Sequence, residues 1–207
     1  MSWGITMLID FTKIPAREAY AWMAGTILPR PIAWVSTTSS GGRGNLAPFS
    51  FFQGITSNPP VLMFVPVNNR DGGKKDTLRN IEEVPEFVVN LVSHDLAGRM
   101  NDSSASLPYG ESEFEKFGIA SAPSERVRPP RVAGAPVAFE CALHSIVRIG
   151  EGALAANVVF GRILAAHVRE DVLGADGRPD PGRLDLVGRL GGDLYVRTTE
   201  RFSLPRP

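Results

Sequence analysis

The sequence predicts a mainly β protein, a barrel or sandwich with a few short peripheral helices. Three observations lead there. Short runs rich in β-branched and aromatic residues recur between turns rich in Gly and Pro. Two pairs of these runs lie close enough to form hairpins. The helical stretches are brief and show no βαβ alternation, so an all-β architecture is favoured over a parallel sheet.

Taken in order, the spacing predicts a short helix over Ala16–Met23, entered at Pro15 and closed by Gly25. Ile32–Thr38, the turn Ser39–Gly44 and Asn45–Gln53 then read as a hairpin with a Gly-rich tip. Pro48 has no N–H to give a ladder, so a bulge or an edge is expected there. Val61–Val67 is almost wholly apolar, a strand covered on both faces. Thr77–Glu83 reads as a helix stopped by Pro85, Phe87–Val92 as a strand, and His94–Asn101 and Glu111–Gly118 as short helices flanking a polar loop, Asp102–Gly110. Ala122–Pro136, rich in Pro and Arg, is expected to be extended and irregular. From Val137 to about Ile149 apolar residues alternate, with Glu140 and His144 on the opposite, polar face. Gly150-Glu151-Gly152 turns that strand into Leu154–Val168, a second hairpin. Asp176–Gly182 reads as a loop and Leu194–Thr198 as a last short strand.

Composition narrows the function. The chain of 207 residues carries 22 Lys+Arg against 22 Asp+Glu, a net charge of zero, so no global field draws nucleic acid or an anionic bilayer. Its 21 Gly and 17 Pro exceed the average share but stay below that of a disordered chain. At this length a single domain, residues 1–207, is expected to bury a full core. The lone Cys141 makes neither an internal disulfide nor a cysteine-rich metal site. No secretory pattern opens the chain and no apolar stretch is long enough to span a bilayer, so a cytoplasmic protein is expected.

Most common catalytic signatures are missing. Gly150-x-Gly152-x-x-Ala155 matches a relaxed dinucleotide fingerprint, but a β-branched run follows it where a helix is required, so it reads as a hairpin turn. His94, His144 and His167 lack metal-ligand spacing, and no nucleophile elbow, P-loop or carboxylate pair stands out.

Two segments carry chemistry. Gly72-Gly73-Lys74-Lys75-Asp76-Thr77-Leu78-Arg79-Asn80 brings cations, a hydroxyl and free N–H groups to a helix start, the parts of a phosphate site. An ordinary Asp or Thr cap with solvated lysines is the alternative, and this segment alone favours it, because such caps are common. The first hairpin sets Trp34, Ser36 and Thr38 on one face, followed by Asn45, Ser50 and the phenylalanines, a ledge for a flat heteroaromatic ligand or simply stacked core aromatics.

The conjunction of Leu28-Pro29-Arg30-Pro31-Ile32-Ala33-Trp34-Val35-Ser36-Thr37, Gly44-Asn45-Leu46-Ala47-Pro48-Phe49-Ser50-Phe51-Phe52, Asn58-Pro59-Pro60 and Lys75-Asp76-Thr77-Leu78-Arg79-Asn80-Ile81 resembles the flavin reductase-like, FMN-binding split-barrel family that includes flavoredoxin. Phe87–Leu91, Glu113-Phe114, Pro136–Glu140 and Arg189-Leu190-Gly191-Gly192 with Tyr195 are similar to it too. The resemblance runs from about residue 25 to 200.

That resemblance implies a homodimeric split β-barrel with a few short peripheral helices, holding FMN noncovalently. Carried over, Ser36, Thr37, Asn45, Ala47 and Ser50 border the ring and ribityl chain. Lys75, Thr77 and Asn80 take the phosphate, in line with the helix-start reading. Trp34, Leu46 and Phe51 complete the cofactor set, and Arg189 and Tyr195 lie near the ligand or the dimer contact. Gly72-Gly73-Lys74 departs from the family pattern, lengthening the loop or letting Lys74 share the phosphate. The implied activity is hydride transfer from NADH or NADPH to flavin, which needs no strong protein acid or base and so fits the missing motifs. The competing readings are a flavoredoxin-like electron carrier and a non-catalytic FMN-binding module. A flavin or other small electron acceptor is the implied partner, with neither nucleic acid nor membrane.

Overall fold

The computed structural model describes residue 4 and residues 6–205; residues 1–3, 5, 206 and 207, the outermost parts of the expected single domain, lie outside the described residues. Helix α1 (Ala16–Thr26) is followed by strands β1 (Ala33–Thr38), β2 (Gly44–Phe49), β3 (Phe52–Ser57) and β4 (Pro60–Phe64), helix α2 (Asp76–Glu83) and strand β5 (Glu86–Asn90). Two short helices, α3 (Ala97–Asp102) and α4 (Glu113–Lys116), and a two-residue ladder, β6 (Ser121–Ala122) with β7 (Arg131–Val132), precede the long strands β8 (Val137–Ile149) and β9 (Ala156–Val168). A one-turn helix, α5 (Pro181–Leu184), and the pair β10 (Val187–Arg189) and β11 (Tyr195–Arg197) close the chain.

Seven strands form one antiparallel sheet in the order β2-β1-β5-β8-β9-β4-β3. Strands β2 and β3 are consecutive, joined only by Ser50 and Phe51, yet they occupy opposite edges of that order. A sheet whose two edges are tied by so short a link must curl until they approach, and with no ladder between them the barrel stays open there. This corrects the expectation of one strand over Asn45–Gln53, because the direction changes at Ser50 and the second half pairs with β4. Pro48 sits opposite Trp34 on edge strand β2, where its missing N–H costs nothing.

Two cores lie on the two faces of β1. Ala33 and Val35 pack with Phe64, Leu78, Ile81, Phe87 and Val159 inside the curl, while Trp34 packs with Leu46, Met100 and Phe114 outside it. Glu140 keeps to the expected face, opposite Phe139 and Cys141, but that face is covered rather than solvated. It is buried, its carboxylate accepting N–H bonds from Glu125 at 2.9 Å and Arg126 at 2.6 Å and meeting His167 Nε2. The Pro-rich tract thus folds down over that face of β8. Gly150 and Gly152 adopt positive φ in the β8–β9 turn, with β9 following directly, as the hairpin reading requires. Within the expected loop Asp176–Gly182, Asp180 accepts from the Gly182 and Arg183 N–H groups and nucleates α5 with Pro181 in its first turn.

Candidate functional site

Both chemistry-bearing segments meet on the first hairpin. Thr37 and Asn45 are cross-strand partners, and α2 lies over them. Asn45 Nδ2 donates to Thr37 Oγ1 at 3.3 Å and to Thr77 Oγ1 at 3.0 Å, and Asn80 Nδ2 donates to Thr37 Oγ1 at 3.0 Å. All of these side chains are buried. Asn80 Oδ1 and the Thr38 hydroxyl, also buried, have no partner among the described residues. Leaving such atoms unpaired costs about 1–3 kcal/mol each, so they mark where a polar ligand would be welcome.

Lys75 is the N-cap of α2 and no side chain caps the helix, so neither Asp76 nor Thr77 is the ordinary cap expected of this segment. The first N–H groups of α2, at Asp76 and Thr77, have no intrahelical acceptor and carry the positive end of the helix dipole. Lys74 is tied to Glu82 at 2.5 Å, and Glu82 also pairs with Arg148. Lys75 is therefore the lysine left to serve the helix start. Burial pushes the Asp76 carboxyl above its ordinary value, against the pull of Arg79 and Lys75. Buried Glu113 is raised by burial likewise, while it accepts the outward N–H of Leu46 at 2.8 Å and so closes part of the β2 edge.

One open cleft adjoins this cluster, bordered by Asn45, Asp76, Asn80, the hairpin tip and Tyr109. A second, at the other end of β2, is bordered by Pro48, Ser50, Tyr20, Met100, Arg189 and Tyr195. In the second cleft Arg189 donates to the Tyr195 hydroxyl and to Gly192 O, its guanidinium 4.6 Å from the Tyr195 ring centre.

The expected residues divide by face. Thr37, Asn45, Thr77 and Asn80 come together, Lys75 stands at the helix start beside them, and Ser50, Arg189 and Tyr195 meet at the second cleft. Ala47 and Phe51 are half-buried along and just beyond β2. Trp34, Ser36 and Leu46 point away from the Thr37 cluster: Trp34 Nε1 donates to Ser103 Oγ at 2.8 Å, Ser36 Oγ donates to Pro130 O, and Leu46 is fully buried. Of the two readings of the hairpin aromatics, core packing therefore holds for Trp34.

Sequence reasoning missed Arg30. Only 5% exposed, it donates to Ala24 O, Ile27 O, Leu190 O and Ser50 Oγ and meets no carboxylate among the described residues, so a positive charge is buried behind the second cleft. An Arg between two prolines, directly ahead of an apolar strand, was the available signal.

Residues 23–183 match the family described as flavin reductase like domain. The chain belongs to that family. Its fold is similar to nitrilotriacetate monooxygenase component B from Bacillus cereus, with TM-score 0.92 and 31% identity over 98% of this chain and 100% of that one. It is also similar to the Pseudomonas fluorescens 2-nitrobenzoate 2-nitroreductase NbaA, with TM-score 0.86 and 34% identity over 97% and 96% of the two chains. A flavin reductase with a split barrel domain from Shewanella frigidimarina shares the fold at TM-score 0.83 and 20% identity, covering 98% of this chain and 100% of that one. This flavin reductase-like chain is thus a mainly β split barrel, and its family supports a flavin-binding, oxidoreductase-type role. Among the described residues no helix is long and apolar enough to cross a membrane.

Proposed function

We propose that this protein binds FMN noncovalently and passes hydride from NADH or NADPH to flavin, as a single-domain, homodimeric, cytoplasmic flavin oxidoreductase. The observation that carries the reading is the uncapped start of α2 set against a buried polar cluster whose Asn80 Oδ1 has no partner. A phosphate and a polyol chain need those two environments side by side.

Lys75 and the Asp76 and Thr77 N–H groups hold the phosphate. Asn80 spends its donor on Thr37, so its free acceptor suits a ribityl hydroxyl better than a phosphate oxygen. Thr37 and Asn45 hold that cluster in place. Ala47, Ser50 and Phe51 follow along and beyond β2 toward the ring end, and Trp34, Ser36 and Leu46 position the strand pair from its far face. Arg30 behind the second cleft and Arg189 on it outnumber the Asp193 carboxylate there, which suits a ring that gains negative charge on reduction. When bound, the flavin supplies the hydride-accepting chemistry.

A second copy of the chain would cover the apolar surface left on β3, β8 and β9, where Ile55, Val147, Ile149 and Leu164 are exposed. Purified protein should be yellow, or should take up FMN, and should bleach anaerobically with NADH or NADPH. Yellow protein that no nicotinamide bleaches would leave the electron carrier or passive FMN module as the function, and protein that takes up no FMN would end the flavin reading.

A further inference from the structure

We propose that the second cleft takes a small planar compound with a conjugated carbonyl group, of the quinone type, and that the Tyr195 hydroxyl binds its oxygen and protonates it as the compound is reduced. The proposal rests on the flavin reading and deepens it. Hydride transfer into a flavin asks for no protein acid, whereas reduction of a carbonyl compound consumes a proton as well as a hydride.

Tyr195 and Arg189 are cross-strand partners in the β10–β11 ladder, so their side chains share a face and the guanidinium settles over the ring. Both Arg189 Nη groups already donate, one to the Tyr195 oxygen and the other to Gly192 O, so the guanidinium works through the phenol rather than as a free fork for a carboxylate. The exposed Asp193 carboxylate on the same cleft disfavours an anion further. What the cleft offers instead is one hydroxyl proton, held by a long 3.4 Å contact to Asn101 Oδ1 on the exposed end of α3. An O–H so loosely held can turn to a ligand oxygen. A neutral carbonyl oxygen fits that donor, and the guanidinium behind the phenol stabilises the negative charge as it passes from the carbonyl oxygen to Tyr195. Ile32, Pro48, Met100 and the half-exposed Tyr20 make walls for a flat apolar body. At about 490 Å³ the cleft has the size that holds a whole drug-sized ligand, of which a flavin ring is only part.

In the reaction, a hydride carrying two electrons leaves the reduced flavin and adds to the conjugated system. The Tyr195 O–H bond breaks as a new O–H bond forms on the acceptor oxygen, and the tyrosinate regains a proton from water at the cleft mouth beside Asp193. The flavin is oxidised and the acceptor is reduced by two electrons.

Anaerobic stopped-flow mixing of the reduced, FMN-loaded protein with menadione follows reoxidation at the flavin absorbance. The rate should saturate with the quinone and slow in deuterium oxide. Tyr195→Phe keeps the ring under Arg189 and should lower the limiting rate about a hundredfold or more, with the deuterium effect lost and FMN affinity kept. Acetophenone, an aromatic ketone that flavin does not reduce, gives a readout apart from turnover. Its calorimetric titration into the oxidised, FMN-loaded protein should show binding that falls about two- to tenfold in Tyr195→Phe. A reoxidation rate linear in menadione and unmoved in Tyr195→Phe means that the flavin reacts outside the cleft and overturns the proposal, as does equal acetophenone binding by the two proteins. Benzoate that binds more tightly than acetophenone overturns the choice of a carbonyl. All three results leave the flavin reading standing, whereas protein that takes up no FMN removes that reading and the proposal together.

Discussion

Asn80 of α2 and Thr37 of β1, 43 positions apart in the chain, are joined by a 3.0 Å hydrogen bond from the Asn80 amide to the Thr37 hydroxyl. The bond turns the Asn80 donor inward and leaves its acceptor free. Asn80→Ala should therefore weaken FMN and riboflavin alike, by about 0.5–1.5 kcal/mol. Fluorescence-quenching titrations with both flavins measure this, and an effect confined to FMN would return Asn80 to the phosphate.

Lys75 should show the opposite selectivity. Lys75→Ala removes a charge-assisted bond worth about 1.5–3 kcal/mol of FMN affinity and leaves riboflavin, which has no phosphate, nearly unchanged. Lys74 is held by Glu82, so Lys74→Ala should have little effect and the double variant should match Lys75→Ala. Parallel losses for both flavins across the three variants would make this segment only a helix start.

Arg30 welds the end of α1 to the Leu190 turn and to Ser50. Replacing it with Met leaves several buried carbonyls without donors, a cost of about 3 kcal/mol or more, and at this chain length a fall in Tm on the order of 6–12 °C. Thermal unfolding followed by circular dichroism reads it directly. A Tm within a degree of wild type would show that water replaces the guanidinium.

Gly161, in the middle of β9, faces the Phe87 ring so closely that an added Cβ would lie 2.2 Å from Phe87 Cζ. Phe87 is fully buried and cannot swing clear. Gly161→Ala should cost about 1–3 kcal/mol by overpacking, visible as a lowered urea midpoint, and the double variant Gly161→Ala/Phe87→Leu should recover part of it.

Burial works to raise the Glu140 carboxyl, but the Glu125 N–H, His167 and the Arg126 N–H outweigh it and hold Glu140 below its ordinary value of 4.5. A carboxyl lowered in the folded state contributes stability that is fully present above 4.5 and fades as pH falls through the lower folded value. Glu140→Gln should cost about 1–3 kcal/mol at neutral pH and flatten the loss of stability on acidification. Urea midpoints at pH 7 and below pH 4 compare the two, and an unchanged acid profile would remove Glu140 from the account.

The β8–β9 hairpin was legible from the chain alone, because alternating apolar residues around a Gly-x-Gly turn are a local pattern. So was the phosphate-like start of α2, since cations, hydroxyl and free N–H groups lie within one short segment. Which residues share a strand face is likewise set by the period of two, and Trp34 and Ser36 do share one. What covers that face is a long-range matter: Ser103 and Pro130 close over it, turning an expected ligand ledge into core. The same distinction explains Glu140, whose covering tract is nearby in sequence but gives no pattern that says it folds down. Only the curl of the sheet places β2 and β3 on opposite edges, brings Asn80 to Thr37 and buries Arg30 against Leu190, 160 positions away. Local composition determined the chemical parts of this protein, and tertiary contacts decided which of them face a ligand, because burial depends on neighbours that no local pattern names.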